Sequence, residues 1–373
     1  MTTTVKATDP AQFLALVPRM LGYVPVQSVV VVPMGAGRSL GGMRLDLPPD
    51  DDATRDGFAA TVIGMVCRVS RSDALMAVVY TATPTGERLP HASLAAAIAR
   101  AADASGLHLI DVLVVGPDGW GSHVSADDAI HPLSELAALD HAFPPATGDQ
   151  SSGAELPSYP ASERRRTGEA HRSLEAALGV LCGLPGDGDS IAENRVDPLA
   201  LAAACELDDM PDLFERALAW DAADLPPMQA ALLSWVLGRP SLRDIALVQW
   251  ASDISGGSEA LHAQLKWEEG EEYPSDLAAV MWGEGARPDP ARLDAALTLV
   301  RHVAARTAKR RRAGALAVCA WLSWALGRST HADAYARAAL DIDADHGLAD
   351  IVRSFVVAAH LPDWAFQGAE AEE

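Results

Sequence analysis

Seven cations, Arg301, Arg306, Lys309, Arg310, Arg311, Arg312 and Arg328, fall between Ala295 and Ala332 with no carboxylate among them, although the whole chain carries a formal charge of −22. Guanidinium groups present planar forks of donors that fit carboxylate or phosphate oxygens, so such a run is suited to binding an anion. Two accounts compete. In the first, the run is a helix C-terminus and turn whose cations favour the helix dipole and meet acidic residues elsewhere in the chain, such as Glu268, Glu269, Glu271 and Glu272. In the second, Arg306, Lys309, Arg310, Arg311 and Arg312 form a partner-binding patch. An acidic protein, a second copy of the chain and RNA are then the candidate partners, in that order.

Other residue groups could also do chemistry. His123, His131 and His141 lie in one short region, where surface histidines are the simpler account and a ligand set the sharper one. Asp187-Gly188-Asp189-Ser190 with Glu193 offers oxygen ligands but lacks the full spacing of a calcium loop, so a solvated loop is expected. Four glycines in residues 35–42 could cradle a phosphate, yet they lie between two strands rather than opening a helix, which points to a hairpin with a loose tip. No Gly-x-Ser-x-Gly elbow, P-loop, paired zinc spacing or dinucleotide fingerprint occurs. No catalytic residue, metal ligand or cofactor is therefore assigned.

The elements that must position these groups begin with a helix capped by Thr8 or Asp9, carrying Pro10 at its first position, kinked at Pro18 and ended by Gly22. Ser28-Val29-Val30-Val31-Val32, closed by Pro33, reads as a strand covered on both faces. Met43-Arg44-Leu45-Asp46-Leu47 alternates as a half-exposed edge strand does. Asp50 to Asp52 cap a helix over 53–69, followed by a strand over 75–80, an alanine-rich helix over 87–105 and a strand over 109–115. After a Gly116-Pro117-Asp118-Gly119 turn, residues 120–124 return as an antiparallel edge. Strands alternating with helix-length crossovers predict an α/β domain, a mixed and partly parallel sheet with helices on both faces. Ligands of such sheets sit beyond the carboxyl ends of the strands, which makes Gly35, Gly37, Thr81, Thr83, Asp118 and Gly119 the candidate ligand-binding rim.

Residues 144–162 change to Pro, Gly, Ser and Thr with no hydrophobic period, the mark of a linker between an α/β domain (1–143) and an all-α domain (163–367) with an acidic tail (368–373). Helices are predicted at 163–181, 198–206, 211–221, 226–237, 241–254, 289–308, 313–326, 330–342 and 348–360. Leu293, Leu297, Val300 and Ala304 form one apolar stripe. Eight of the nine tryptophans follow residue 219 and are expected as core anchors. Leu233-Ser234-Trp235-Val236-Leu237-Gly238-Arg239 matches Leu322-Ser323-Trp324-Ala325-Leu326-Gly327-Arg328 at six of seven positions, so the same helix end with a glycine cap is expected twice. The second copy, with Ala332 and Ala339, resembles a tetratricopeptide-type helical hairpin in an irregular stack.

Composition bounds the rest. The scattered Cys67, Cys182, Cys205 and Cys319 sit among apolar neighbours, as buried reduced thiols do, which favours the cytoplasm over an oxidising compartment. No signal-like core opens the chain and no run approaches a membrane span, so no membrane association is expected. The strong negative charge argues against nucleic acid as a partner over any broad surface.

The opening Phe13-Leu14-Ala15-Leu16-Val17-Pro18-Arg19-Met20-Leu21-Gly22-Tyr23-Val24-Pro25-Val26-Gln27-Ser28-Val29-Val30-Val31 resembles the start of an actinobacterial family known as domain of unknown function 4192. Leu242-Arg243-Asp244 and Ala320-Trp321-Leu322-Ser323-Trp324 are similar to its later motifs, so the likeness covers most of the chain. The resemblance implies a cysteine-rich turn after a Trp-x-Ser strand. Trp120-Gly121-Ser122 keeps that strand, but Ser125, Ile130 and His131 stand where the cysteines would be, so their chemistry is not expected here. The expectation that emerges is a non-catalytic interaction or oligomeric scaffold protein, with a small-molecule enzyme working at the sheet's loops as the alternative.

Overall fold

The computed structural model describes residue 7 and residues 9–86, 88–125, 129–136, 144–183 and 196–367. Helix α1 (Pro10–Leu21) starts at Asp9, whose carboxylate accepts the Gln12 amide at 2.9 Å, and stops at Gly22 in the left-handed region (φ 82°). Thr8, the other expected cap, lies outside the described residues. Pro18 stays inside the helix, where its ring removes one donor without ending it.

Strand β1 (Ser28–Gly35) runs past Pro33, whose carbonyl accepts the Leu40 amide at 2.9 Å. It turns back into β2 (Arg38–Ser39) through Ala36 and Gly37, both left-handed at φ 50° and 73°. Two such residues make the mirror-image turn that matches strand twist, so the hairpin tip is tight where a loose one was expected. β3 (Met43–Asp46) pairs antiparallel with the first half of β1. Asp51 caps α2 (Asp52–Arg68) through the Thr54 amide at 2.9 Å. The chain continues into β4 (Ala74–Tyr80), α3 (Ala92–Ala104), β5 (His108–Val115) and β6 (Trp120–Ser122). Helix α3 starts later than expected because Pro90 and a left-handed His91 (φ 66°) break the approach to it.

The sheet order is β2-β1-β4-β5-β6, with β3 also against β1. Among the described strands only β4 and β5 pair in parallel, across the α3 crossover; β1 is antiparallel to β4 over seven positions, from Ser28 beside Tyr80 to Met34 beside Ala74. The valines of β1 divide by strand period. Val29 and Val31 pack with Val62, Ile63 and Ile98 of α2 and α3; Val30 and Val32 pack with Phe13, Leu14 and Val17 of α1. Helices therefore cover both faces, and β1 is an interior strand.

By contacts the chain forms two compact units, one reaching to Ser152 and including Phe366, the other Gly153–Ala365. Val24 donates to the Gly148 carbonyl at 2.9 Å and Gln150 brackets the Val26 backbone, holding residues 144–152 in the first unit. Residues 368–373, the expected acidic tail, lie outside the described residues.

The second unit is all helical: α4 (Ala161–Leu181), α5 (Pro198–Cys205), α6 (Met210–Ala217), α7 (Pro227–Leu237), α8 (Pro240–Ala251), α9 (Ile254–Glu268), α10 (Ser275–Met281), α11 (Pro290–Arg306), α12 (Ala313–Ala325), α13 (Ser329–Leu340) and α14 (Gly347–Val357). The sequence reading missed α9 and α10. Gly256-Gly257 disguises α9, yet Asp253 accepts the Gly256 amide at 3.0 Å and Gly257 lies so close to Gln249 that no side chain fits between them. Every residue of α12 is buried, which its small residues allow: a methyl at Gly314 would strike the Leu237 carbonyl at the end of α7. The stripe Leu293, Leu297, Val300 and Ala304 faces this core as expected.

Three expectations need correcting. The two echo segments do not end alike: Gly327 is left-handed (φ 75°), while Gly238 keeps helical geometry (φ −79°) because α8 restarts at Pro240 almost at once. Trp250, Trp321, Trp324 and Trp364 are core anchors with bonded indoles, but Trp267, near the end of α9, and Trp282, just after α10 and edge-on to Phe355, are half exposed. Only Cys319 is buried, whereas Cys67 points outward on α2 and Cys182 and Cys205 lie at the ends of helices α4 and α5. Among the described residues, no helix is long and apolar enough to cross a membrane.

Candidate functional site

The antiparallel pairing of β1 with β4 divides the expected ligand rim. Gly35 closes β1 and Gly37 follows it, so both lie at the end of the sheet where β4 begins; Thr81, Thr83, Asp118 and Gly119 follow β4 and β5 at the other end. Gly35 is held by close packing, since a methyl there would strike the Arg71 carbonyl. The other four form one loop cluster. Asp118 accepts the Thr85 amide at 2.7 Å and the Thr85 hydroxyl at 2.9 Å, and that amide bond leads in holding its carboxyl below the usual range. Gly119 is hemmed in by Ile130 and the His131 carbonyl. The Thr81 hydroxyl lies 2.9 Å from Nε2 of His91 and accepts the Thr83 amide at 3.1 Å. Burial lowers the His91 pKa, opposed by Asp50 and assisted by His123. These groups are occupied in holding two loops together.

The histidines are likewise spoken for. His123 Nε2 is 2.9 Å from the Pro90 carbonyl, and His131 stacks on Trp120 with centroids 4.4 Å apart. His141, Asp187-Gly188-Asp189-Ser190 and Glu193 lie outside the described residues, among which no group of His, Cys, Asp and Glu could hold a metal.

The basic run separates into residues with opposite roles. Arg306 is buried, donates to the carbonyls of Leu225 and Ala223, and stacks on Tyr159 with its guanidinium 4.2 Å from the ring centroid. Arg312 donates to the Thr307 carbonyl at 2.9 Å, and burial foremost, with Arg164 adding, lowers its pKa. Arg301 holds the carbonyls of Gly153 and Glu155, and Arg328 pairs with Asp294 at 2.7 Å. Arg311 forms a two-pronged pair with Glu175, at 2.8 and 3.0 Å. The acids that meet this run are therefore Glu175 and Asp294, not Glu268, Glu269, Glu271 or Glu272, because α4 and α11 and not the end of α9 carry the groups that face it. Lys309 and Arg310 are exposed and make no ion pair with any described residue.

Arg310 borders a cavity of about 210 Å³ between α4 and the turn at 307–311. Among the described residues, five arginines line it, Arg164, Arg165, Arg172, Arg310 and Arg311, together with Thr167, Gly168 and His171 and no carboxylate. The α4 contributors recur at helical spacing, which puts them on one face. Arg165 and Arg172 are exposed and unpaired among the described residues. Thr167 is 2 % exposed and its hydroxyl has no hydrogen-bond partner; Nδ1 of the buried His171 has none either, lying 3.6 Å from Glu175. Burial lowers the His171 pKa and Arg311 lowers it further, against Glu175. A Cβ on Gly168 would meet nothing within 4 Å, so the helix opens where the arginines converge. Sequence reasoning found the turn half of this site and missed the α4 half, for which Arg164-Arg165-Arg166 and the seven-residue step from Arg165 to Arg172 were the available signals.

Among protein families, the model described as Domain of unknown function (DUF4192) matches residues 10–283, from α1 through α10. No curated protein and no solved structure matches the chain.

Proposed function

The chain belongs to the family described as Domain of unknown function (DUF4192), and from its geometry we propose that it is a non-catalytic cytoplasmic interaction protein whose helical unit docks an acidic protein partner on the arginine face. The observation that carries this reading is that Arg165, Arg172, Lys309 and Arg310 remain unpaired with any described carboxylate in a protein of charge −22. In so acidic a chain, unpaired cations on one face set up a local field that steers an anionic surface to that face, within a Debye length of about 8–10 Å. The helical stack around α12 is the rigid frame that holds them; the hairpin of α12 and α13 is read here as tetratricopeptide-like, and self-association through the same face is the lesser form of the proposal.

The test is to capture partners with the full chain and with an Arg165→Glu, Arg172→Glu, Arg310→Glu variant, with light scattering on both at low and high salt. A partner, or a second copy, that is retained by the natural chain and lost from the variant supports the reading. Identical partner sets, or a monomer without partners in both, overturns it.

A second reading rests on one observation at the sheet's loops: the buried Thr81 hydroxyl is gripped by a left-handed His91, a strained arrangement of the kind found at functional sites. This would make the α/β unit a small-molecule site with Thr81 and His91 at its centre. Thermal-shift screening against nucleotides and metals, with a shift abolished by Thr81→Val, would favour it over the first reading.

A further inference from the structure

We infer that the cavity between α4 and the 307–311 turn is a binding site for a phosphoryl dianion, carried either by a phosphorylated side chain of a partner or by a small phosphate ester. The inference rests on the interaction reading and names the group that the arginine face selects.

Four observations converge on the same few residues. Five arginines line the cavity without a carboxylate among the described residues of its walls, and guanidinium forks are the side chains best matched to tetrahedral phosphate oxygens. Arg311 is fixed in place by its two-pronged pair with Glu175, so the N–H donors this pair leaves over are already oriented and the ordering cost of binding falls. Thr167, a residue 2 % exposed, keeps on this wall a hydroxyl with no hydrogen-bond partner among the described residues, where valine would fill the same volume with no polar group to satisfy. Gly168 sits in mid-helix with open space above it, a residue that weakens the helix and that no neighbouring packing requires. A phosphoryl group supplies what each lacks: oxygens for the unpaired Arg165, Arg172 and Arg310, an acceptor for Thr167, and an occupant for the room over Gly168.

Size and charge narrow the class. At about 210 Å³ the cavity is smaller than the roughly 300–1,000 Å³ that drug-sized ligands occupy, which suits an ionic head group with its carrier outside. A single carboxylate offers two oxygens and one charge, and cannot engage forks from both α4 and the turn as a dianion with three free oxygens can.

The experiment is calorimetry on the full chain with inorganic phosphate, pyrophosphate, a phosphoserine peptide and the same peptide with glutamate in place of phosphoserine. The phosphoserine peptide, or one of the two phosphate ions, should bind about tenfold or more tighter than the glutamate peptide. Tightest binding by the peptide assigns the group to a partner's side chain; tightest binding by phosphate or pyrophosphate assigns it to a small ester. Gly168→Met should fill the cavity and abolish phosphate binding while Lys309 and Arg310 still hold the glutamate peptide. Thr167→Val should weaken phosphate binding about tenfold without lowering the Tm, since the hydroxyl it removes has no partner to lose. A glutamate peptide that binds as tightly as the phosphoserine peptide and both phosphate ions, or phosphate binding unchanged by Gly168→Met, overturns the phosphoryl site and leaves the acidic-partner reading standing. Loss of the glutamate peptide alone in the Arg165→Glu, Arg172→Glu, Arg310→Glu variant, with no effect of Gly168→Met, points to that broader surface instead.

Discussion

The loop cluster after β4 and β5 and the arginine cleft beside α4 are both polar, and they differ in where their hydrogen bonds go. After the strands, Asp118 is used by Thr85, Thr81 by His91 and Thr83, and Gly119 has no room for a side chain. Beside α4, among the described residues, Thr167 and His171 have buried polar atoms without partners, Gly168 faces open space, and Arg165, Arg172 and Arg310 are unpaired. A satisfied polar cluster holds a fold together; an unsatisfied one is stable only because the fold tolerates it, and is where a ligand gains most. Substitutions should therefore cost stability in the first region and little in the second.

The largest break of this contrast is Gly119→Val. Its Cβ would lie 2.8 Å from Ile130 and 2.9 Å from the His131 carbonyl, a backbone group that cannot swing aside. Overpacking of this kind costs roughly 3 kcal/mol, and hydrogen exchange of the β5 amides should accelerate accordingly. Unchanged exchange would mean that the loop cluster is loose. Next comes Thr85→Val, which removes the hydroxyl bond to Asp118 from a residue 1 % exposed and should cost about 1–2 kcal/mol by the same measurement.

In the cleft the sign should reverse. Gly168→Ala adds a methyl where nothing lies within 4 Å and replaces a mid-helix glycine, so it should stabilise the helical unit by up to about 1 kcal/mol in urea denaturation. Arg310→Gln should change stability by no more than about 0.5 kcal/mol, because it removes no bond to any described residue. A loss as large as that of Thr85→Val at either position would erase the distinction between the two regions.

The contrast also marks what one sequence can reveal. The buried strand β1 was legible because four consecutive β-branched residues have few other homes, and the α11 stripe because its period is helical. Helix α9 was not, since Gly256-Gly257 reads as a breaker until Gln249 is seen packed against it. The antiparallel setting of β1 against β4, which splits Gly35 and Gly37 from Thr81 and Asp118, is a long-range pairing that no local propensity encodes. In the cleft, Arg306 and Arg310 are the same residue type four positions apart, one spent on buried carbonyls and the other free. Which is which depends on Leu225 and on α4, far away in the chain.

The smallest effect, and the one most specific to the cleft, concerns His171. Burial, then Arg311, hold its pKa below the ordinary value against the pull of Glu175, with Arg239 adding to the lowering. Its folded pKa thus lies below the unfolded value of about 6.5, so between the two the unfolded chain binds the extra proton. The stability that neutral His171 contributes is complete above about pH 6.5 and is lost as pH falls through that window. His91, His302 and His346 are also lowered, chiefly by burial, and add a loss of the same sign. A phosphoryl dianion beside His171 raises its folded pKa and narrows the window, so phosphate should shrink the fall in Tm between neutral and mildly acidic pH. His171→Gln should remove that phosphate-dependent part and leave the remainder, which comes from histidines elsewhere. If phosphate leaves the pH slope of the Tm unaltered in the natural chain, His171 and the anion do not share the cavity.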